Sequence, residues 1–288
     1  MSLKNRRIYK FKNFNKIQQF INKFTVESFN KKHKVISYLN FFELQNLTKK
    51  LSVDKIKNKI PDYLLNVDKK NRKPLSFDLN DLCRLHWIVL SRKALNILEF
   101  GSGFSTVFIA DSCFILNKFF KNIKKLRVEK KFHIYSLEES KKFINITKKR
   151  LSSDLIKHVT LIKSKNKITD YQGKYASQCL NIPNISPDLI YLDGPSQYFT
   201  KKNFNGFNFN NISRFPMSAD LLFLEYFFEP RTFIIVDGRT SNARFLKDHF
   251  KRNWKYIHDL QGDCHYFELM EKSLGIYNKL KLKFCLGK

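Results

Sequence analysis

The sequence predicts an α/β fold, a doubly wound and mostly parallel sheet with helices on both faces. Three observations predict it. An apolar run at 96–100 leads into Gly-Ser-Gly and then into an apolar segment of helical character. A second apolar run, 132–137, ends at Glu138, and two later runs, 187–192 and 232–236, each end in Asp-Gly. Strands that end in glycine loops or acids and alternate with helices are typical of parallel sheets that bind a ligand at their carboxyl edge.

The glycine loop reads E-F-G-S-G-F-S at residues 99–105. Glycine lets a ligand come close to the backbone, the helix start offers free N–H groups, and Glu99 supplies a carboxylate at the strand tip. A dinucleotide fingerprint needs a third glycine at the sixth position, where this chain has Thr106. A phosphate-binding P-loop needs Gly-Lys followed by Ser or Thr, which the chain lacks. A glycine-rich turn without a ligand remains the alternative.

This loop resembles motif I of the class I S-adenosylmethionine-dependent methyltransferases. The resemblance covers about residues 76–270 and implies a Rossmann-like sheet of the class I methyltransferase type that ends in an antiparallel hairpin. It implies S-adenosylmethionine as the cofactor, with the glycine loop around its amino-acid part. The implied cofactor-binding residues are Glu99, Phe100, Gly101, Ser102, Gly103, Ser105, Thr106, Glu138 and Asp193.

The acid at the tip of the second strand is expected to hold the ribose hydroxyls, and Glu138 is the favoured residue. The interval from the glycine loop to this acid is longer than the usual spacing of about 20 residues, so the first helix and its link are expected to be extended. Glu139 and Glu129 are the alternatives. The loop at 163–167 has no acid where the family often contacts adenine, and that contact is left unassigned.

The two Asp-Gly strand ends are expected to place Asp193 and Asp237 in the crevice of the sheet. The resemblance implies that these aspartates and Arg239 face the methyl acceptor. Asp193 would act as general base or orient the acceptor, and Arg239 would bind an acidic group on it. Turn-forming aspartates before Gly, and a surface ion pair for Arg239, are the alternatives.

A metal site is a weaker expectation from the same strand ends. Catechol-type methyltransferases hold a divalent cation with acids at these places, and the cation lowers the pKa of the acceptor hydroxyl. The ligands here would be Asp193, Asp237 and Asn242. Those enzymes carry the third ligand directly after the second acid, where this chain has Gly238. We therefore predict no metal and keep these three residues as a weak alternative.

Two domains are predicted. Residues 1–74 are Lys/Asn-rich and form a basic, mainly helical extension, either a cap without chemistry, which is favoured, or a substrate-binding or dimerising element. Residues 75–288 form the Rossmann-like domain. His86, near the apolar face of its first helix, is more typical of packing than of catalysis.

The remaining elements follow from apolar periodicity along the chain. Helices are predicted at 74–93 (capped by Asp78 or Asn80), 104–120, 139–150, 219–228 and 241–250 (capped by Ser241), and strands at 158–162, 254–258 and 265–269. A lid or acceptor loop is predicted at 197–217 and a basic tail at 274–288.

The composition leaves the partner open. A formal net charge of +29, from 54 basic and 25 acidic residues, suggests an acidic partner such as nucleic acid, a polyanionic glycan or a membrane surface. Genome bias competes with this interpretation, because Lys, Asn, Ile and Phe have A/T-rich codons. Five widely spaced cysteines without a C-x-x-C pair predict a reduced cytoplasmic protein. No apolar run approaches about 18 residues, so no membrane span is expected.

Together these patterns predict methyl transfer from S-adenosylmethionine to an oxygen, less favourably a nitrogen, of a small-molecule or glycan acceptor. The alternative is a basic nucleic-acid-binding protein, or an RNA methyltransferase, on the same scaffold. The chain has no Asn-Pro-Pro-Tyr motif for a flipped base, which favours the first interpretation. The oligomeric state is not predicted.

Overall fold

The computed structural model describes residues 5–47, 77–196, 203–210 and 215–287. The helices are α1 (Asn15–Ile21), α2 (Lys32–Phe42), α3 (Leu79–Arg92), α4 (Phe104–Phe120), α5 (Lys141–Arg150), α6 (Asp220–Phe223), α7 (Thr240–His249) and α8 (Gly275–Leu286). The strands are β1 (Asn96–Phe100), β2 (His133–Glu138), β3 (Val159–Lys163), β4 (Asn166–Tyr171), β5 (Lys174–Cys179), β6 (Leu189–Leu192), β7 (Phe233–Asp237), β8 (Trp254–Asp259) and β9 (Cys264–Leu269).

The main sheet has seven strands in the order β3-β2-β1-β6-β7-β9-β8. The first five strands in this order, β3, β2, β1, β6 and β7, are parallel to one another. Strand β9 is antiparallel to both of its neighbours, β7 and β8. The chain moves outward from β1 to β3 and then returns to start again at β6, so the strand order reverses between β1 and β6. Ligands of such sheets bind in the crevice at this reversal. The predicted doubly wound sheet with a terminal antiparallel hairpin is confirmed.

Alternation along the strands assigns each side chain to one face of the sheet. In β1, Ile97 packs with helices α3 and α4, whereas Leu98 and Phe100 pack on the opposite face with α6 and α7. Glu99 follows the same alternation and lies on the α3/α4 face. Tyr191 of β6 pairs with Glu99 in register and shares that face. The carboxyl ends of the central strands therefore direct several polar side chains towards α3.

Side-chain caps begin two of the described helices, α3 and α5. The Asp78 side chain accepts from the Asn80 amide (2.7 Å) and caps α3, as predicted, and Ser140 caps α5. The predicted Ser241 cap is wrong, because α7 begins at Thr240 without a side-chain cap. Gly238 adopts a left-handed conformation (φ +56) directly after β7, which turns the chain early enough for the helix to begin there.

The described part of the N-terminal extension packs against α3 and α4 through a buried polar network, which we call the core network. It contains Arg6, Tyr38, His86 and Asp111. The ring nitrogens of His86 contact the Tyr38 hydroxyl at 2.8 Å and an Asp111 carboxylate oxygen at 3.1 Å, and Arg6 pairs with the same carboxylate at 3.0 Å. His86 thus lies in the core as a packing residue. The part of the extension at 48–74 lies outside the described residues.

Three features differ from the sequence-based elements. Strands β4 and β5 form a hairpin that we did not predict; its turn has two left-handed residues, Gln172 (φ 52) and Gly173 (φ 77), and the Asp170 carboxylate accepts from the Gly173 amide. The predicted helix at 219–228 is the short α6 followed by a 3₁₀ turn, and the tail contains α8. In the described part of the chain, no helix has the length and apolar character to cross a membrane.

Candidate functional site

The two glycines of the loop after β1 have different structural roles. Gly101 has a φ of +105, which favours glycine, and it joins β1 to β2: its amide donates to the Leu137 carbonyl at 2.8 Å, and its carbonyl accepts from the Ser136 hydroxyl at 2.9 Å. Gly103 is extended (φ 178), and a Cβ added to it would meet no atom of the described residues within 4 Å. The space above Gly103 is therefore open to a ligand.

Glu99 is fully buried below this loop. Its two carboxylate oxygens accept hydrogen bonds from the hydroxyls of Ser105 (2.6 Å) and Thr106 (2.7 Å) in the first turn of α4. Burial raises the pKa of Glu99 to about 7, although the hydroxyls act in the opposite direction. The carboxyl group thus fixes strand to helix and has no cationic partner among the described residues. A direct contact with a cofactor remains a prediction.

Glu138 is the acid that meets the glycine loop. Its carboxylate accepts from the Ser102 hydroxyl at 3.2 Å and from the Ser140 amide at 2.8 Å. Burial raises the pKa of Glu138 as well. The alternative Glu139 accepts instead from the Asn166 side chain at 3.2 Å, and Glu129 precedes β2 in the link at 121–132. The geometry favours Glu138 over both.

The other loop residues predicted from the sequence, Phe100, Ser105 and Thr106, make contacts within the protein that stabilise the loop. The Phe100 side chain is buried in the core, so only its backbone is available to a ligand. The Thr106 hydroxyl is buried and also accepts from the Gly103 amide at 3.0 Å. Ser105 is partly accessible, but its hydroxyl is bonded to Glu99. Whether these residues contact a cofactor stays a prediction.

Asp193 and Asp237 follow β6 and β7 at the same level of the sheet, because Leu192 pairs with Val236 in register. The Asp193 amide donates to the Phe100 carbonyl at 3.1 Å, which places Asp193 beside the glycine loop. Its side chain is accessible in the crevice. The crevice walls nevertheless remove part of its hydration, and this desolvation, together with the nearby Asp237 charge, raises the pKa of Asp193 well above its ordinary value.

The carboxylate of Asp237 lies on the α3 side of the sheet, where it accepts a short hydrogen bond from the Tyr191 hydroxyl. Desolvation raises the pKa of Asp237. Asp81, in the first turn of α3, lies near Asp237. Desolvation, and to a smaller extent the charge of Asp237, raises the pKa of Asp81 well above its ordinary value. We call Asp81, Tyr191, Asp193 and Asp237 the strand-end cluster.

Sequence reasoning missed Asp81, Arg84 and Tyr191. The Arg84 guanidinium donates to the Asp81 carboxylate at 2.7 Å, and these two residues line a small cavity together with Tyr191, Asp237 and Cys264. The signal available in the sequence was an Asp and an Arg three residues apart on the helix that leads into β1. Nothing in that spacing shows which strand ends the helix faces, so the cluster depends on the tertiary structure.

Arg239 is buried and holds two loops together. Its guanidinium donates to the carbonyls of Pro195 (3.0 Å) and Pro216 (3.1 Å), and it lies 4.9 Å from the ring centroid of Phe215. Burial lowers the pKa of Arg239 to about 10, a value at which the group remains charged near neutral pH. These contacts position the loops on both sides of the crevice. A contact between Arg239 and an acidic acceptor group remains a prediction.

Asn242 does not join the two aspartates, so the weak alternative of a metal site with this third ligand needs correction. Its side chain is fully buried and bonds to the backbone of Ser218, with the amide oxygen accepting at 3.0 Å and the amide nitrogen donating at 3.2 Å. Both polar atoms of Asn242, the third residue of α7, are thereby engaged. Among the described residues, no group of three or more His, Cys, Asp or Glu side chains is arranged to hold a metal ion.

The predicted lid at 197–217 is described only in part. Phe204 and Phe207 form a small bridge and pack their rings against Tyr175 of the β4–β5 hairpin, both at 5.2 Å between centroids. Phe215 lies under Arg239. The segments 197–202 and 211–214 lie outside the described residues. The described part therefore borders the crevice next to the unpredicted hairpin.

No protein-family model and no curated protein sequence matches the chain. Among solved structures, the chain is similar to an O-methyltransferase from Bacillus cereus in complex with SAH (14% identity, TM-score 0.40, over 82% of this chain and 100% of that one). It is similar to the SAH-bound methyltransferase PaMTH1 from Podospora anserina (14%, 0.40, over 77% and 95%). It is also similar to the O-methyltransferase TomG from Streptomyces achromogenes, involved in tomaymycin synthesis and in complex with SAM (14%, 0.39, over 68% and 82%).

Because these TM-scores lie below 0.5, the fold assignment depends on the strand order and not on the likenesses. Five parallel strands with the reversal between β1 and β6, followed by an inserted antiparallel β9, decide it. The fold is that of the class I methyltransferases. Within this methyltransferase fold, the glycine loop, Glu138 and the strand-end cluster all lie at the carboxyl edge of the sheet.

Proposed function

We propose that the protein binds S-adenosylmethionine and transfers its methyl group to an oxygen of a small-molecule or glycan acceptor. The observation that carries the proposal is the contact of Ser102 with Glu138 (3.2 Å) beside the open space above Gly103. It brings the motif I loop and the acid of the second strand together. Asp193 stands at the adjacent strand end, bonded through its amide to Phe100.

The residues present fit this cofactor. Carboxylates accept the hydrogen bonds of a ribose diol, and Glu138 supplies one next to the loop. The glycine loop offers backbone close to a ligand, without a side chain at Gly103. S-Adenosylmethionine carries a positively charged sulfonium and ammonium, and Glu99, Glu138 and Asp193 form acidic surroundings that favour such a ligand. When bound, the cofactor supplies an electrophilic methyl group.

The chain's own residues would then position and deprotonate the acceptor. Asp193 accepts the acceptor's hydroxyl proton, because its raised pKa brings a carboxylate closer to the pH range in which a general base is effective. Asp237 keeps that pKa high through its neighbouring charge. Arg239 keeps the loops beside the crevice in place. The requirement for a base favours an oxygen acceptor, because a neutral hydroxyl is a weak nucleophile until its proton is removed, whereas a neutral amine attacks with its own lone pair.

The N-terminal extension, residues 1–74, is proposed to support this site as a cap. Asn30 accepts from the Arg84 guanidinium at 3.0 Å and donates to the Asp259 carboxylate at 3.2 Å. Since Arg84 also binds Asp81, the extension reaches the strand-end cluster through one residue. This connection supports a role in holding α3 in register with the strand ends.

Calorimetric titration with S-adenosylmethionine and S-adenosylhomocysteine, with NAD as the control, tests the proposal. We expect micromolar binding of the first two and none of NAD. An acceptor screen with and without Mg²⁺ would follow, with methyl transfer detected by mass spectrometry. Absence of binding to both sulfur compounds would mean that the glycine loop is only architecture, and the proposal would be abandoned.

A further inference from the structure

A second surface lies at the amino edge of the sheet, opposite the candidate site. The link at 121–132 connects the end of α4 to the start of β2, and α8 lies beside it. Lys281 of α8 donates to the Glu229 carboxylate at 2.8 Å and pairs with Asp188, and both acids lie just before strands β6 and β7. The Arg127 guanidinium lies 5.3 Å from the ring centroid of Tyr277. We call the link and the exposed residues of 274–283 the amino-edge surface.

This surface is strongly basic. Among its exposed residues, Glu129 is the acid in the link, and the basic side chains are those of Lys121, Lys124, Lys125, Arg127 and Lys130. α8 adds the exposed Lys279 and Lys283. The link is fixed to the protein, because Leu126 is buried in the core and the Lys131 ammonium donates to the Ile123 carbonyl. The positive charge is therefore held at a defined place on the fold.

Three large apolar side chains project from the same surface. Leu274, Ile276 and Tyr277 are 59%, 68% and 57% exposed. Further along the same helix, Phe284 packs against the core and Cys285 is buried in it. The apolar trio at the start of α8 is thus separate from the residues that attach the helix. Clusters of exposed apolar side chains with a polar rim are typical of contact surfaces.

We propose that the amino-edge surface docks on an anionic lipid bilayer. The basic side chains would lie at the headgroups, and Leu274, Ile276 and Tyr277 would enter the boundary between headgroups and acyl chains. A bilayer interface accepts both chemistries together. Nucleic acid would use the charges and the ring of Tyr277, but Leu274 and Ile276 offer no stacking face for a base. Genome bias changes the composition of the whole surface, but it does not explain why three large apolar side chains, Leu274, Ile276 and Tyr277, are exposed together beside the basic link.

The arrangement orients the candidate site away from the lipid. The amino-edge surface and the strand-end cluster lie at opposite ends of the parallel strands, and β1 alone has five residues, or about 16 Å at about 3.3 Å per residue. A docked molecule would keep the crevice accessible from the aqueous side. Changes at the amino-edge surface should therefore leave cofactor affinity unchanged.

Flotation of the full-length protein with vesicles tests the proposal. One set contains phosphatidylcholine alone, and the other contains phosphatidylcholine with phosphatidylserine. We expect binding to the anionic vesicles only, weakened by salt. The combined variant Lys121→Glu/Lys124→Glu/Lys125→Glu should lose about a hundredfold or more in apparent affinity, because each basic residue near the bilayer contributes attraction. The variant Leu274→Ser/Ile276→Ser/Tyr277→Ser should lose about tenfold or more.

A matched control reverses three exposed charges elsewhere, Lys165→Glu/Lys167→Glu/Lys174→Glu at the β4–β5 hairpin. It should keep most of the vesicle binding, and thermal melting should show that all three variants fold. Equal loss in this control would show that net charge alone drives binding and would overturn the proposal. Binding to a short RNA duplex that falls with the link variant but not with the apolar variant, without vesicle binding, would assign the surface to nucleic acid instead.

Discussion

Two carboxyl groups of this protein are equally buried and differ in their partners. Asp111 lies in the core network, where the Arg6 guanidinium beside it holds the pKa of the carboxyl below its ordinary value despite burial. Glu99 lies under the glycine loop, where the hydroxyls of Ser105 and Thr106 donate to it and no cation of the described residues pairs with it, and burial raises its pKa to about 7. This difference distinguishes a buried acid with a structural role from a buried acid in a candidate binding site. A buried acid with its counter-ion is complete, whereas a buried acid without one favours a proton or a cationic ligand.

The same contrast extends to the neighbourhoods of these residues. In the core network one guanidinium, one carboxylate, one imidazole and one hydroxyl contact each other, and burial lowers the pKa of His86, so the imidazole remains neutral near pH 7. In the strand-end cluster desolvation raises the pKa of each of the three aspartates, and the Asp237 charge raises the pKa values of Asp81 and Asp193 further. A protein with a net charge of +29 thus places excess negative charge at one edge of its sheet. Substitutions in the core network and at the candidate site test this contrast.

The largest effect is expected for Asp111→Ala. The variant leaves the buried Arg6 without its counter-ion, which costs about 3–5 kcal/mol of unfolding free energy. Urea denaturation followed by circular dichroism measures it. Asp248→Ala, at an exposed position of α7, is the control and should change stability by less than about 0.5 kcal/mol. Similar values for the two variants would remove the distinction between a complete network and a surface acid.

Glu99→Gln should change how stability depends on pH. Because the folded pKa of Glu99 (about 7) lies above its ordinary value of 4.5, the wild type has the full contribution below pH 4.5 and loses it as the pH rises to about 7. The loss amounts to about 3 kcal/mol. The variant should lack this part of the decline in urea titrations over the same range. Glu27→Gln, at an exposed position, should keep it; parallel curves for Glu99→Gln would show that Glu99 is not the source.

Glu138→Ala should weaken S-adenosylhomocysteine binding by about 1–3 kcal/mol, since the charged hydrogen bonds to the ribose would be lost. Calorimetry measures the change. Glu139→Ala is the matched control, because its carboxylate is bonded to Asn166 and not to the glycine loop. Wild-type affinity in Glu138→Ala with weakened binding in Glu139→Ala would transfer the ribose contact to Glu139.

The two loop glycines should separate folding from binding. Gly101→Ala forces a Cβ into the left-handed region at φ +105, so the fold should lose about 1–2 kcal/mol together with cofactor affinity. In Gly103→Ala the added methyl group meets no atom of the part of the chain that the structure describes, so stability should stay within about 0.5 kcal/mol while binding weakens. Unchanged calorimetric affinity in Gly103→Ala would show that the open space is not the cofactor site.

A small effect on stability is expected for Asp237→Asn, and its sign is opposite to that of Asp111→Ala. Removing one carboxylate from a group of like charges should stabilise the fold at pH 8 by up to about 1 kcal/mol, since Tyr191 can still donate to the amide oxygen. The pKa of Asp193 should fall at the same time. Urea denaturation at pH 8 measures the stability. A loss of stability comparable with that of Asp111→Ala would show that repulsion between the carboxylates of the strand-end cluster does not destabilise the fold.

The fold was largely predictable because its signals are local. Continuous apolar runs identified the buried parallel strands, and the glycines after β1 identified a loop at which the chain turns into α4. The β4–β5 hairpin was missed, because its strands alternate weakly and its turn depends on a left-handed Gln172, which composition does not indicate. The Ser241 cap was wrong for a similar reason, since the preceding Gly238 decides where α7 starts.

The sequence by itself determined the order of strands and helices, the glycine loop and the acids at the strand tips, because each depends on residues close in the chain. Only the tertiary structure decided what these acids contact. The register of β6 and β7 brings Asp193 and Asp237 to one level, and the packing of α3 adds Asp81 to them. Packing of the N-terminal segment on the core brings Arg6, 105 positions away in the chain, to Asp111 as its counter-ion. Glu99 has no counter-ion among the described residues. Charge pairing over such separations is set by how elements pack, so it cannot be obtained from a linear pattern.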